Sequence, residues 1–170
     1  EAVERLRAVR ENRPVPKKLP NTTIEFRQDA YLDSGYIANQ EQKMEIYRRL
    51  AAIEDEKTLT DLIDEVIDRF GTPSQPAEKL FRISEIRVKA RHLGIGSIID
   101  EGDSLLVTWA DESFMHGWDP MKLPKTWLPY LKFLPGSPAK LRIHKALIKG
   151  TMTDWMADFM DELKRETGKQ

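Results

Sequence analysis

Apolar residues recur along this chain at two periods, and the switches between them mark out its elements. In "EAVERLRAVREN", Val3, Leu6 and Val9 fall at helical spacing with Arg and Glu between them. "RPVPKKLPN" follows, and Pro14, Pro16 and Pro20 cannot continue a helix. Residues 1–11 are therefore expected to be a helix tail and 12–22 a linker, with the domain proper opening near Thr23. In "TTIEFRQDAYL", Ile24 and Phe26 alternate with Glu25 and Arg27, which predicts a strand. A turn at 33–35 leads to Asn39, an N-cap type with Gln42 three residues on, and a helix is predicted from there to about Ile53. A second helix is predicted over 57–70, with Gly71 at its C′ position and Pro73 beyond the stop. Pro76 introduces a third, over 77–93, carrying Leu80, Ile83, Ile86, Ala90 and Leu93 and ended by Gly94.

"SIIDEGDSLLVTWA" predicts a β-hairpin. Over 111–139, Pro120, Pro124, Pro129, Pro135 and Pro138 interrupt every period, so short helices and loops are expected. "KLRIHKAL" offers another strand. Thr151 with Asp154 three residues later resembles a capping box, and Met152, Trp155, Met156, Phe159, Met160 and Leu163 line one side of a final helix. Helices with a small, mostly antiparallel sheet make an α+β fold.

Composition narrows the function classes. The chain has 170 residues, enough for one domain with an arm, and 40% of them are hydrophobic. Net charge is −1, so no global field draws it to nucleic acid or membrane. It has no cysteine, which removes disulfides and thiolate metal sites and fits a reducing compartment such as the cytoplasm. No apolar run approaches the roughly 18 residues of a membrane span, and no signal peptide is visible. The chain opens on Glu1, without an initiator Met, as a piece of a longer protein would.

Within this nearly neutral chain, "LIDEVIDRFG" is unusual. On a helical wheel, Leu59, Leu62, Ile63, Val66, Ile67 and Phe70 form an apolar arc facing the core. Asp61, Asp64, Glu65 and Asp68 fall opposite, within roughly 100°. They sit at i, i+3, i+4 and i+7, where like-charge pairs cost about 0.2–0.5 kcal/mol each. Asp68 also lies near the helix C-terminus, where the dipole disfavours an anion. Two readings stand: a solvated face relieved by Lys57–Asp61 and Glu65–Arg69 pairs, or a contact surface for a basic partner. The spacing does not suit a metal, since no His is near and no calcium loop is present.

"LIDEVIDRFGTPSQPAEKLFRISEIRVKARHLGI" (62–95) resembles the C-terminal (TRCF) domain of the bacterial transcription-repair coupling factor family, Mfd. That family carries an acidic helix ending in "DRFG" (here Asp68, Arg69, Phe70 and Gly71), a proline-spaced turn (Pro73), and a long helix ending in "LGI". "YLDSGYIANQEQKMEIYRRLAAI" (31–53) is similar to the family's "YIPD…R…YRR" stretch, departing at Ala38 and Asn39. "RIHKALIKGTMTDWMADFMDEL" resembles its closing strand and helix, and "EAVERLRAVRENRPVP" the segment joining the translocase motor to this domain. The resemblance implies a division at 1–22, tail and linker from the translocase, and 23–170, a regulatory domain. It implies a parent that is an ATP-dependent DNA translocase, removes stalled RNA polymerase and recruits UvrA. In such a parent this domain covers the UvrB-like, UvrA-binding module of the same chain. Acidic residues of the motif, carried over onto Glu65 and Asp68, would face arginines of that module; Asp61 and Asp64 extend the set on the wheel alone. No G-x-x-x-x-G-K-[ST] is present, so a domain without catalysis and without a cofactor is expected.

Other residues support weaker alternatives. Residues 121–150 hold Lys122, Lys125, Lys132, Lys140, Arg142, Lys145 and Lys149 and no Asp or Glu, with Trp127, Tyr130 and Phe133 interleaved. That composition can make a DNA- or RNA-contacting platform; otherwise Trp127, Leu131 and Leu134 fill a helix's core face and the lysines are solvated. His92, His116 and His144 are scattered without a second ligand at useful spacing, so no metal site is predicted. Ser113, His116 and Asp119 lack the elbow motif of a nucleophilic triad. The Met-rich C-terminal stripe is expected to be core rather than a partner groove.

Overall fold

Asn39 and Thr151, the N-caps anticipated from the sequence, start their helices, and Asp55, not anticipated there, caps a third. The computed structural model describes residues 18–115 and 119–168, so the expected N-terminal helix, most of the linker and His116 lie outside the described residues. Asn39 accepts a hydrogen bond from the Gln42 amide and starts helix α1, Gln40–Ala52. Asp55 caps α2, Glu56–Phe70, through the Thr58 amide. Helix α3, Gln75–His92, opens with Pro76 in its first turn, where the missing N–H costs nothing. Thr151 caps α4, Met152–Thr167, through the Asp154 amide.

Five strands form one sheet in the order β1-β2-β3-β5-β4: β1 Thr23–Glu25, β2 Ile95–Asp100, β3 Ser104–Trp109, β4 Leu131–Leu134 and β5 Lys140–His144. β1 runs parallel to β2; the other three pairings are antiparallel. The hairpin expected over 97–110 is β2–β3. The proline-rich stretch contains one-turn 3-10 helices at Glu112–Met115, Pro120–Lys122 and Leu128–Tyr130, and also β4, which the prolines at 129 and 135 hid by fencing in only five residues, four of them the strand. Trp127, Leu131 and Leu134 therefore share no helix. Leu131 and Phe133 pack on the core and Leu134 alternates away from it.

Two hydrophobic clusters divide the interior. One lies between the sheet and helices α3 and α4, centred on Ile98, Leu105, Val107, Leu141, Ile143, Met156, Phe159 and Met160. The other joins α1, α2 and α3 through Ile46, Leu50, Leu59, Leu62, Val66 and Phe81. Helix α3 belongs to both: Ala77, Phe81 and Val88 face its sister helices, and Ile86, Ala90 and Leu93 face the sheet. Lys89, its side chain only 6% exposed, ties α3 to α4, reaching Glu85 at 2.7 Å and Asp161 of α4 at 2.7 Å. The Met-rich stripe of α4 is core: Met156, Phe159, Met160 and Leu163 are buried. Among the described residues no helix is long and apolar enough to cross a membrane.

Gly94 makes the turn from α3 to β2 at φ +78°, and a Cβ there would stand 2.0 Å from Cγ of Phe114. Gly94→Ala is expected to destabilise the fold by about 2–4 kcal/mol, through backbone strain and overpacking together. Chemical denaturation would check this; a loss under about 1 kcal/mol would contradict the close approach.

Candidate partner-binding surface

The acidic stripe stands on α2, whose buried side is Leu59, Leu62 and Val66. Asp55 fixes the start of the helix, accepting the Thr58 amide at 2.8 Å and the Thr58 hydroxyl at 2.7 Å. Gly71, at φ +80°, closes its end and donates its N–H to the Ile67 carbonyl at 2.8 Å. Around that end the "DRFG" residues act on one another. The Arg69 guanidinium lies 5.1 Å from the Phe70 ring centroid, and Phe70 meets Tyr36 edge-on at 6.3 Å. The Tyr36 hydroxyl donates to the Gly71 carbonyl at 3.0 Å, and the Ser74 hydroxyl donates to Asp33. Pro73 carries the chain across to α3, where Asp33 and Tyr36 of the preceding loop meet it.

The four carboxylates of the stripe divide into two kinds. Glu65 turns toward α1, where Arg49 grips it with two parallel bonds, Nη1 to Oε1 at 2.8 Å and Nη2 to Oε2 at 2.5 Å. Arg69 adds a third at 3.1 Å. The hydrogen bond from Arg49 foremost, then that from Arg69, holds the Glu65 carboxyl down to about 2. Asp61 pairs with Lys57 at 2.8 Å, an exposed i,i+4 contact of small worth. Asp64 and Asp68 are exposed, and among the described residues no cation is within salt-bridge distance of either. Both i,i+4 pairs expected of a solvated face are thus present, and they leave Asp64 and Asp68 uncovered. Arg49 was missed by the sequence reading. It stands 16 residues from Glu65, and no local spacing links a cation on one helix to an acid on the next.

The basic stretch is also divided. Lys145 bonds Asp100 at 2.8 Å, and that carboxylate is 2% exposed. Burial alone would raise the Asp100 carboxyl, but Lys145 and the amides of Gly102 and Arg27 outweigh it and lower it. Arg142 reaches Glu101 at 3.3 Å. Lys125, Lys132 and Lys140 are exposed. The aromatic residues between them are committed inward: Trp127 packs against Trp155 at 5.1 Å and Phe159 at 5.3 Å, and Tyr130 against Trp155 at 5.2 Å. The histidines do not converge. His92 contacts the Glu54 carbonyl at 2.9 Å and His144 lies on β5, and no metal-binding group of three acidic or histidine side chains occurs among the described residues. The Ser113 hydroxyl donates to Asp111, and Asp119 caps the turn at Met121.

Because its folded pKa lies below the ordinary value of 4.5, Glu65 contributes stability that is complete above pH 4.5 and is lost as pH falls toward about 2. Wild type is expected to be more stable than Glu65→Gln at neutral pH, with the gap closing between pH 4.5 and 2. Urea titrations across that range would check this; a gap independent of pH would contradict it.

Comparison with known proteins places this surface in a family. The TRCF domain family matches residues 26–117, a stretch that contains α1, α2, α3 and the β2–β3 hairpin. The chain is 38% identical over 108 residues to the transcription-repair-coupling factor of Staphylococcus haemolyticus, covering 64% of this chain and 9% of that protein. It is 39% identical over 107 residues to that of Staphylococcus epidermidis, again 9% of the relative's length. The crystal structure of the C-terminal domain of transcription-repair coupling factor superposes with a TM-score of 0.75 at 19% identity, over 91% of this chain and 99% of that one, and so shares the fold. With its α+β architecture and its acidic α2 in the matched segment, the chain belongs to the TRCF domain family, the C-terminal domain of transcription-repair coupling factors.

Proposed function

We propose that this chain is a non-catalytic regulatory domain that works by docking. In this reading residues 23–170 are the domain, and 1–22 tie it to the translocase of a cytoplasmic parent. Helix α2 covers a UvrB-like, UvrA-binding module of the same parent and so masks it. UvrA and RNA polymerase are then partners of the parent, met by this domain only indirectly. The observation that carries the proposal is the pair of uncovered carboxylates, Asp64 and Asp68, on an exposed helix face. Like charges one turn apart do not stabilise their own helix, and an opposing arginine would relieve them.

The four carboxylates would take different parts. Asp64 and Asp68 are open to an incoming cation. Glu65 already holds an internal arginine, so a partner's guanidinium must share it or displace Arg49. Arg49 is thereby an internal competitor that keeps docking reversible. Exposed ion pairs contribute only about 0–1 kcal/mol each. Several of them can still bias an equilibrium between masked and open states that differ by a few kcal/mol.

Reversing the charge of Asp68 with Glu65, or with Asp64, to Lys in the parent protein is expected to raise UvrA binding and basal ATPase. The Asp64/Asp68 pair is the cleaner test, because it leaves the Arg49–Glu65 contact intact. Wild-type UvrA affinity from both double variants would argue against masking. Arg49→Ala should tighten docking of the isolated chain on the module by about fivefold, read by calorimetry. Weaker docking would mean that Arg49 belongs to the contact itself.

A further inference from the structure

Helix α2 carries a second exposed feature beside its free carboxylates. Ile67 lies on the arc that periodicity assigns to the core, yet it is 38% exposed. With Ile63 it forms one wall of a groove of about 540 Å³. The other walls are the first turns of α3, with Phe81 and Glu78, and the N-terminus of α4, with Thr153 and Asp154. Pro73, from the turn after "DRFG", also lines it. The groove is thus built where three helices meet, on elements that both hydrophobic clusters hold in place.

Its charge is one-sided. Lys79 and Arg82 are the cations among its lining residues, and Arg82 is taken up by Glu85 at 2.8 Å and Asp154 at 2.9 Å. Glu85 is shared with Lys89. Asp64 and Asp68 run along the neighbouring ridge of α2: Asp64 stands three residues from Ile67 and four from Asp68, so it is a surface neighbour of each and links Asp68 to the groove wall. Among the lining residues Glu78, Glu85 and Asp154 stand against Lys79 and Arg82, one negative charge in excess, and the exposed Asp64 and Asp68 add two more on the ridge beside the groove.

We infer that the groove and the Asp64–Asp68 ridge form one docking surface, for a protein segment that presents an aliphatic or aromatic side chain beside an arginine or lysine. This rests on the docking reading above and adds its anchor. The apolar side chain fills the groove against Ile63, Ile67 and Phe81, and the cation lies over the two carboxylates. Energy concentrates at such a buried anchor, whereas rim charges orient the approach. Ion pairs screened by water would not hold a docked state alone, and an apolar socket one turn away supplies what they lack.

The test is calorimetric titration of this chain with the separately expressed UvrB-like module of its parent. Ile67→Ala is expected to weaken binding about tenfold, and Ile67→Met, which keeps an apolar tip, to stay within about twofold. Met44→Ala is the control, since Met44 is 47% exposed on α1 and does not line the groove; it should leave the affinity unchanged. Asp64→Asn with Asp68→Asn should also weaken binding. If Ile67→Ala binds like wild type while the Asp pair binds poorly, the groove is empty and docking stands without it. An equal loss from Met44→Ala overturns the anchor as well. If the wild-type chain does not bind the module, or neither the Ile67 nor the Asp variants change the affinity, the docking reading fails and the anchor with it.

Discussion

The structure depends on burying one helix from two sides. Helix α3 offers Ala77, Phe81 and Val88 to α1 and α2, and Ile86, Ala90 and Leu93 to the sheet and α4. A helix apolar on opposite sides cannot be solvated on either, so it serves as the shared wall of two clusters. Its polar residues are consumed as well. Arg87 donates to the carbonyls of Leu50 and Ile53 at 2.6 and 3.2 Å, and Arg91 pairs with Glu54 at 2.8 Å. Arg87 satisfies carbonyls at the C-terminal end of α1, where unpaired carbonyls and the dipole call for a cation, and Arg91 ties down the residue just beyond the helix's Ile53 cap. They fix α1, and α1 in turn places Arg49 against Glu65. The state of the acidic stripe is thus set by the helix that follows it, acting through the helix that precedes it.

That chain of placement explains why four similar carboxylates end up unlike one another. Glu65 faces α1 and is held by two guanidiniums. Asp61 has a flexible lysine one turn back. Asp64 and Asp68 are exposed with no cation of the described residues at salt-bridge distance, and Asp64 neighbours the exposed Ile67 one turn on. The stripe is half structural and half open, and the open half adjoins a groove in which Ile63, Ile67 and Phe81 stand among charged side chains. A surface that combines unpaired charge with an exposed branched side chain has the makings of an interface, because each part offsets what the other lacks.

Local signals in the sequence carried much of this fold. Asn39, Thr151, Gly71 and Gly94 mark boundaries by chemistry that acts within one turn, and the β2–β3 hairpin shows its alternation plainly. What escaped is non-local. β4 is four residues between prolines and gains its pairing from β5. The Arg49–Glu65 grip joins two helices. Ile67 obeys the helical period yet borders a groove, whose other lining residues come from α3 and the start of α4, far from it in sequence. Motif resemblance located the acidic helix; it could not say which of its acids were already taken.

The most direct measurement is a cryo-electron microscopy structure of the nucleotide-free parent protein, read at α2. The account predicts that guanidinium or ammonium nitrogens of the UvrA-binding module lie within about 4 Å of Asp64 and Asp68. It also predicts an apolar side chain of the same module in the groove beside Ile67. A restrained parent in which α2 faces open solvent, with the module covered by some other surface, would contradict it.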